Sequence, residues 1–189
     1  MRFYISIGSI LTFLIIENFL RFSKDAKSLE TSESDKGTTA LLRFALILTI
    51  TLVLCSYFLN TYNILRLNNR VFFYLGLIFV IIGLVIRLIA TFTLKEYYTR
   101  TLKITEKHKV IKHGIYGIVR HPGYLGVTTL LIGSGLLTGN LITAILIIII
   151  VPFSFIKRLL IEEQMLLENL GDEYRDYMKK TYRLVPFIF

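Results

Sequence analysis

The chain has 189 residues, 54% of them hydrophobic, a mean hydropathy of +0.63 and a formal charge of +9. Apolar residues gathered in long blocks exclude an ordinary soluble domain and point to one all-α, polytopic membrane domain. The positive charge is spread over the connections between blocks, not along one aromatic-interleaved face, which argues against nucleic acid as a partner.

The first apolar block covers residues 3–19. It lacks a small-x-small cleavage site and carries Glu17-Asn18 where one would fall, so it reads as a retained transmembrane helix and not a signal peptide. Glu17 is expected to reach the membrane interface; the alternative is a partner for an intramembrane cation. Residues 21–39, with KSLETSESDKGTT at their centre, form a polar connection of surface-loop or short interfacial-helix character. The second block, 40–59, is long enough to cross and contains the single cysteine. Cys55 excludes an intrachain disulfide and reads as a small buried side chain.

A short connection, 60–70, leads to the third block, 71–92. Arg87 near its end is expected to snorkel to the interface, with pairing to Glu17 as the alternative. Residues 94–120 make the longest polar connection. The fourth block, 124–137, would be only about 21 Å long as a helix, short of the roughly 30 Å hydrocarbon core. The chain then turns at Gly139-Asn140 and returns through 141–155, so blocks four and five form a helical hairpin. Gly133, Gly135 and Gly139 leave room for close backbone approach, with Gly135 and Gly139 as a small-xxx-small pair. Pro152 is a candidate kink. In the tail, Ile161, Met165, Leu166, Leu170, Tyr174 and Tyr177 recur on one helix side, and Gly171-Asp172 reads as a break between two helices.

Lys and Arg alternate along the chain: one before the first block, then five, two, seven, none and six in the successive connections and the tail. This places the N-terminus outside and the C-terminal helices in the cytoplasm, after five transmembrane helices. The whole chain, 1–189, then forms one domain, with a three-helix part at 1–93. Residues 94–189 follow as connection, hairpin and tail.

All three histidines fall in 108–124, HKVIKHGIYGIVRHPGY. Gly114 and Gly117 allow tight backbone there, His121 should be extended before proline, and Pro122 can open the fourth helix. The backbone donors of that helix start are suited to an anionic group such as a carboxylate. Gaps of five and eight residues between the histidines match no common zinc pattern, so a metal is not expected. After the hairpin, Arg158 and Glu162 share a helix face four residues apart. The bland reading of such a pair is a surface ion pair of little worth. Its position beside 121–124 at the membrane surface argues for more.

The order of these features resembles the isoprenylcysteine carboxyl methyltransferase family: His108-x7-Tyr116, Arg120-His121-Pro122-Gly123-Tyr124-x-Gly126, an apolar hairpin, Arg158-x3-Glu162-Glu163, then Leu170-Gly171-Asp172-Glu173-Tyr174-x2-Tyr177. The His-Pro and Glu-Glu elements are shared with phospholipid methyltransferases. The likeness covers residues 95–189; the first three helices resemble the family only in being membrane spans. It implies an S-adenosylmethionine-dependent methyltransferase acting on a lipophilic or prenylated acceptor. By matching position, the cofactor would be held by His108, Lys109, Val110, Ile111, Tyr116, His121, Pro122, Gly123, Tyr124 and Glu162. Arg158 would be the catalytic, substrate-binding residue that meets the acceptor carboxylate. Thr101 stands where the family often has glutamine, and the eukaryotic enzymes carry extra N-terminal helices.

The chemistry is consistent with that implication. A carboxylate acceptor is ionised at neutral pH and needs no general base, so alignment and dry surroundings carry the rate. A guanidinium can hold a carboxylate with two prongs, which lysine cannot copy. A phospholipid N-methyltransferase is the main alternative, but it needs a base for the amine proton and gains nothing from Arg158 beside a cation. A sterol-type reductase using NADPH shares the hairpin and the ending Arg183-Leu184-Val185-Pro186-Phe187, but the third connection is short for a dinucleotide. A non-enzymatic transporter or scaffold leaves the two polar clusters without a purpose. A compact chain rich in Ile, Lys and Asn points to a prokaryotic cell membrane.

Overall fold

A computed structural model of the protein describes residues 1–20, 36–67, 69–94 and 110–187. The described chain is helical: α1 Arg2–Phe19, α2 Thr38–Thr61, α3 Arg70–Leu94, a 3₁₀ turn Gly114–Gly117, α4 Pro122–Leu137 and α5 Leu141–Lys180. The described residues contain two isolated β-bridges, Arg66 with Asn140 and Val119 with Tyr182, and no strand. Helices α1, α2, α3 and α5 are long and apolar enough to cross a membrane; α4, with 16 residues, is shorter.

The short helix is the centre of the bundle. α4 touches each of the other four helices, and its buried residues occur on every side. A helix that is apolar all round is one that packs all round. Ile10 and Phe13 of α1, Val53 of α2, Val127, Leu130 and Leu131 of α4, and Ile147, Val151 and Phe155 of α5 make one apolar cluster. Two serines of α1 stitch it to α4: Ser6 Oγ donates to the Ser134 carbonyl at 2.6 Å, and Ser9 Oγ lies 2.9 Å from Ser134 Oγ.

α3 and α4 run antiparallel with their backbones in contact. A Cβ on Gly83 would lie 2.6 Å from the Gly126 carbonyl oxygen, and one on Gly76 2.8 Å from that of Gly133. Each helix thus contributes two glycines seven residues apart, which is two turns on one side. Of the glycines expected to allow close approach, Gly133 does so, whereas the Gly135–Gly139 pair does not face another helix's backbone in this way. Gly135 meets the Ile147 side chain, and Gly139 takes a left-handed φ of 65° in the turn to α5. The glycines that matter are those facing glycines on another helix, and one helix's spacing does not reveal them.

The α4–α5 turn is locked at one end of the bundle. Asn140 is fully buried, accepts from Thr143 N, and donates to Asn60 Oδ1 and the Ile64 carbonyl. Leu67 N donates to the Gly139 carbonyl at 2.8 Å, and Arg2 Nη1 to the Leu67 carbonyl at 2.7 Å. α5 continues with helical dihedrals through Pro152, and the break is at Gly171, φ 54°.

Cys55 departs from its expected burial, the tail stripe is helical as read, and for Glu17 and Arg87 the alternative of pairing holds. Cys55 is exposed on the outer face of α2, because the buried side of that helix runs through Val53 and Ser56. The tail stripe is only partly covered: Ile161, Met165, Leu166 and Leu170 are half-buried, while Tyr174 and Tyr177 beyond the break are buried. Glu17 and Arg87 do not reach the interface separately. They form a buried two-pronged pair, Nη2 to Oε1 at 2.7 Å and Nε to Oε2 at 3.1 Å. Packing of α1 and α3 on the same central helix brings them together, and a paired charge is far less costly to bury than a lone one.

Gly83→Ala should lower the thermal unfolding midpoint in detergent by the equivalent of about 1–3 kcal/mol, because backbone, not a flexible side chain, meets the new methyl. Gly8→Ala, which meets nothing, should be neutral or raise it by up to about 1 kcal/mol. Equal midpoints for the two variants would show that the α3–α4 contact does not limit stability.

Candidate active site

At the end of the bundle opposite the Asn140 turn, the start of α4 meets the middle of α5. Pro122 occupies the first turn of α4, where its missing N–H is no loss. His121 has φ −122° and ψ 55°, short of the extended backbone expected before proline. Its carbonyl is turned to accept from both Tyr124 N and Leu125 N, each at 3.1 Å. Those two donors are therefore engaged within the chain, contrary to the expectation that they would serve an anion. Gly123 gives the Arg87 guanidinium room, since a Cβ there would lie 2.7 Å from Arg87 Nη1. The Glu17-paired guanidinium lies against the first turn of α4.

Tyr124 joins the two halves of the site. Its hydroxyl donates to Glu162 Oε2 and accepts from Arg158 Nε at 3.0 Å. Its ring stacks on His121, centroids 5.5 Å apart and 8° from parallel, and packs on Phe155. Arg158 is buried; Glu162, one turn on, has a side chain 24% exposed. On its far side, Arg158 Nη1 donates to Thr39 Oγ1 at 2.9 Å and Thr38 Oγ1 at 3.1 Å, both in the first turn of α2.

The neighbouring carboxylate does a different job. Glu163 is buried and accepts from Arg120 Nε at 2.7 Å and Arg183 Nε at 2.8 Å, with His121 Nε2 3.3 Å away. Arg120 also donates to the carbonyls of Met178 and Thr181. The break at Gly171 turns the chain so that the tail returns to the 116–121 segment. There Tyr177 Oη donates to the Tyr116 carbonyl at 2.6 Å. Backbone bonds join Arg120 N to Tyr182 O, Tyr182 N to Ile118 O, and His121 N to Arg183 O. Burial raises the Tyr116 phenol well above its ordinary pKa against the opposing pull of Arg87, so it is neutral at physiological pH. Lys112 and Glu173 pair at 2.8 Å in the open and contribute little.

Of the residues singled out from sequence, Tyr116, His121, Pro122, Gly123, Tyr124, Arg158 and Glu162 fall in this one region. Val110 and Ile111 are half-buried and lead into the 3₁₀ turn. His108, Lys109 and Thr101 lie outside the described residues. His113 is exposed. The described residues contain no group of three or more His, Cys, Asp or Glu side chains placed for a metal. Sequence reading missed Thr38, Thr39 and the Glu163 hub. Arg120 and Glu163 stand inside the motifs, but nothing in their spacing couples them to Arg183.

The fold is shared with a solved structure described as the "eukaryotic intramembrane Ras methyltransferase ICMT (isoprenylcysteine carboxyl methyltransferase) without a monobody". The TM-score is 0.63 at 20% identity, over all of this chain and 68% of that one. The described residues are thus all-helical and share the fold of an integral membrane protein. Residues 75–168 match the "Isoprenylcysteine carboxyl methyltransferase (ICMT) family", and the resemblance drawn from the ordered motifs holds for that segment. A probable protein-S-isoprenylcysteine O-methyltransferase of Oryza sativa subsp. indica is 36% identical over 117 residues, which is 61% of this chain and 61% of the rice protein. Protein-S-isoprenylcysteine O-methyltransferase A of Arabidopsis thaliana is 32% identical over 60% of this chain and 58% of its own length. The Saccharomyces cerevisiae enzyme is 34% identical over 60% and 48% respectively. The chain therefore spans about three-fifths or less of these relatives. All three are eukaryotic, and the prokaryotic origin expected from composition finds no support in them.

Removing the Glu163 carboxylate takes the counter-charge from the enclosed Arg120 side chain and one partner from Arg183. Glu163→Ala should lower stability by about 3–5 kcal/mol, read as a fall in the thermal midpoint. Trypsin should then cut at Lys179, Lys180 or Arg183 before the helices are lost. An unchanged midpoint with an uncut tail would show that the hub does not hold the tail.

Proposed function

We propose that the protein is an S-adenosylmethionine-dependent methyltransferase that methylates the carboxylate of a lipophilic, isoprenylcysteine-like acceptor. The observation that carries this reading is the Glu162–Tyr124–Arg158 chain, which holds an acid and a buried cation apart on one phenol. The relatives' names and the family match support the same reading.

The donor set fits the cofactor. The partly exposed Glu162 carboxylate suits an ammonium group, and the His121–Tyr124 stack adds an aromatic wall beside it. Tyr116, His121, Pro122, Gly123 and Tyr124, with Val110 and Ile111 leading in, would line the rest of the cradle. When bound, S-adenosylmethionine supplies an electrophilic methyl on a sulfonium sulfur. The chain's own residues then have three tasks. Glu162 fixes the cofactor end, Arg158 aligns the acceptor carboxylate, and the apolar walls keep water out. The acceptor oxygen attacks as an anion, so no proton has to be moved. An N-methyl acceptor is disfavoured because a buried arginine would face its cation.

The acceptor's lipid tail would enter from the bilayer side. We read the chain as one membrane domain, α4 pairing with α5 as the hairpin, the N-terminus outside and the C-terminal helices and cofactor side in the cytoplasm.

Calorimetry with S-adenosylhomocysteine tests the cofactor, and a methylation assay offering a farnesylated cysteine acid beside phosphatidylethanolamine tests the acceptor. We expect homocysteine-ligand binding and ester formation on the acid. Arg158→Ala should keep the cofactor product bound while turnover falls on the order of a hundredfold. Glu162→Ala should weaken binding first. Methylation of the amine, or NADPH binding in place of S-adenosylhomocysteine, would overturn the proposal.

A further inference from the structure

The acceptor arginine is held from outside the family-matched segment. Residues 75–168 contain Arg158, Tyr124 and Glu162, but Thr38 and Thr39 belong to α2. Thr38 and Thr39 stand in the first turn of α2, directly after Gly37 with its left-handed φ of 75°. Their hydroxyl oxygens accept from Arg158 Nη1, at 3.1 and 2.9 Å, and both residues are buried.

The guanidinium is planar, and these bonds grip it at two different nitrogens. Nε is held by Tyr124 and Nη1 by the threonine pair. A rotation of the plane breaks one set or the other, and in a buried setting the lost bonds are not replaced by water. We infer that Thr38 and Thr39 are positioning residues that set the plane in which Arg158 meets the acceptor carboxylate. α2 is thereby part of the reacting machinery and not only a membrane span. The inference rests on the proposed function, since it takes Arg158 as the acceptor residue.

The test uses the full chain in detergent or nanodiscs, with a farnesylated cysteine acid as acceptor. Thr39→Val and Thr38→Val/Thr39→Val keep the side-chain shape and remove the acceptors. We expect kcat to fall about tenfold or more in the double variant, because misalignment acts on the reacting geometry. Affinity for S-adenosylhomocysteine should stay within about twofold, since Glu162 and the α4 turn are untouched. Thr39→Ser, which retains the oxygen, should recover turnover. Valine variants at wild-type kcat and acceptor KM would overturn the inference. So would serine and valine variants that lose kcat alike at matching thermal midpoints, because the hydroxyl would then not be the cause. Should the double variant fail to fold, the Thr39→Ser and Thr39→Val comparison decides alone. A wild-type protein that methylates no carboxylate acceptor overturns the function itself and the inference with it. An active wild type with indifferent threonine variants overturns only the inference.

Discussion

The close approach of α3 and α4 is the constraint on which the remaining geometry rests. With glycine facing glycine, the two backbones lie in contact along two turns of each helix. Lipid tails offer no hydrophobic drive for helix association, so such contact must come from packing of bare backbone. The approach puts Arg87 directly over Gly123 at the start of α4. It also leaves the rest of α4 free to be enclosed by α1, α2 and α5. A helix too short for an easy crossing is thereby made the core, and its first turn becomes the floor of the candidate site.

Charge is handled the same way at three places: each buried ion is matched by a partner from a different helix or from the tail. Glu17 of α1 neutralises Arg87 of α3. Glu163 of α5 faces Arg120 and Arg183 from either side of the hairpin and the tail. Arg158 bonds to hydroxyl oxygens of α2 and of Tyr124. The first two clusters fix the bundle and the returning tail.

The adjacent carboxylates Glu162 and Glu163 show how one dipeptide can serve two ends. Successive residues on a helix point about 100° apart. Glu163 turns into the protein and organises Arg120, Arg183 and His121. Glu162 turns to the edge, where the Tyr124 hydroxyl meets it and part of it is open. Rigid anchoring of the one gives the other a fixed platform, which is what a site that works by alignment requires.

Much of this was legible in the chain. Hydrophobic block lengths gave the helices, Gly139-Asn140 the hairpin turn, Gly171 the tail break, and the ordered motifs from Tyr116 to Tyr177 the region of the site. These are local signals: periodicity, turn chemistry and residue order act over one or two helical turns. What sequence left open were the pairings across the bundle. Sequence offered the Glu17–Arg87 pairing only as an alternative, and nothing in the order of residues says that Gly83 meets Gly126 or that Arg183 returns to Glu163. Nor does it place Thr38 and Thr39 against Arg158. Each of those contacts joins segments far apart in the chain, and their existence depends on how the helices stack around α4. Tertiary packing alone decided them, because in a dry interior a charge or a hydroxyl takes whatever partner the fold brings within reach.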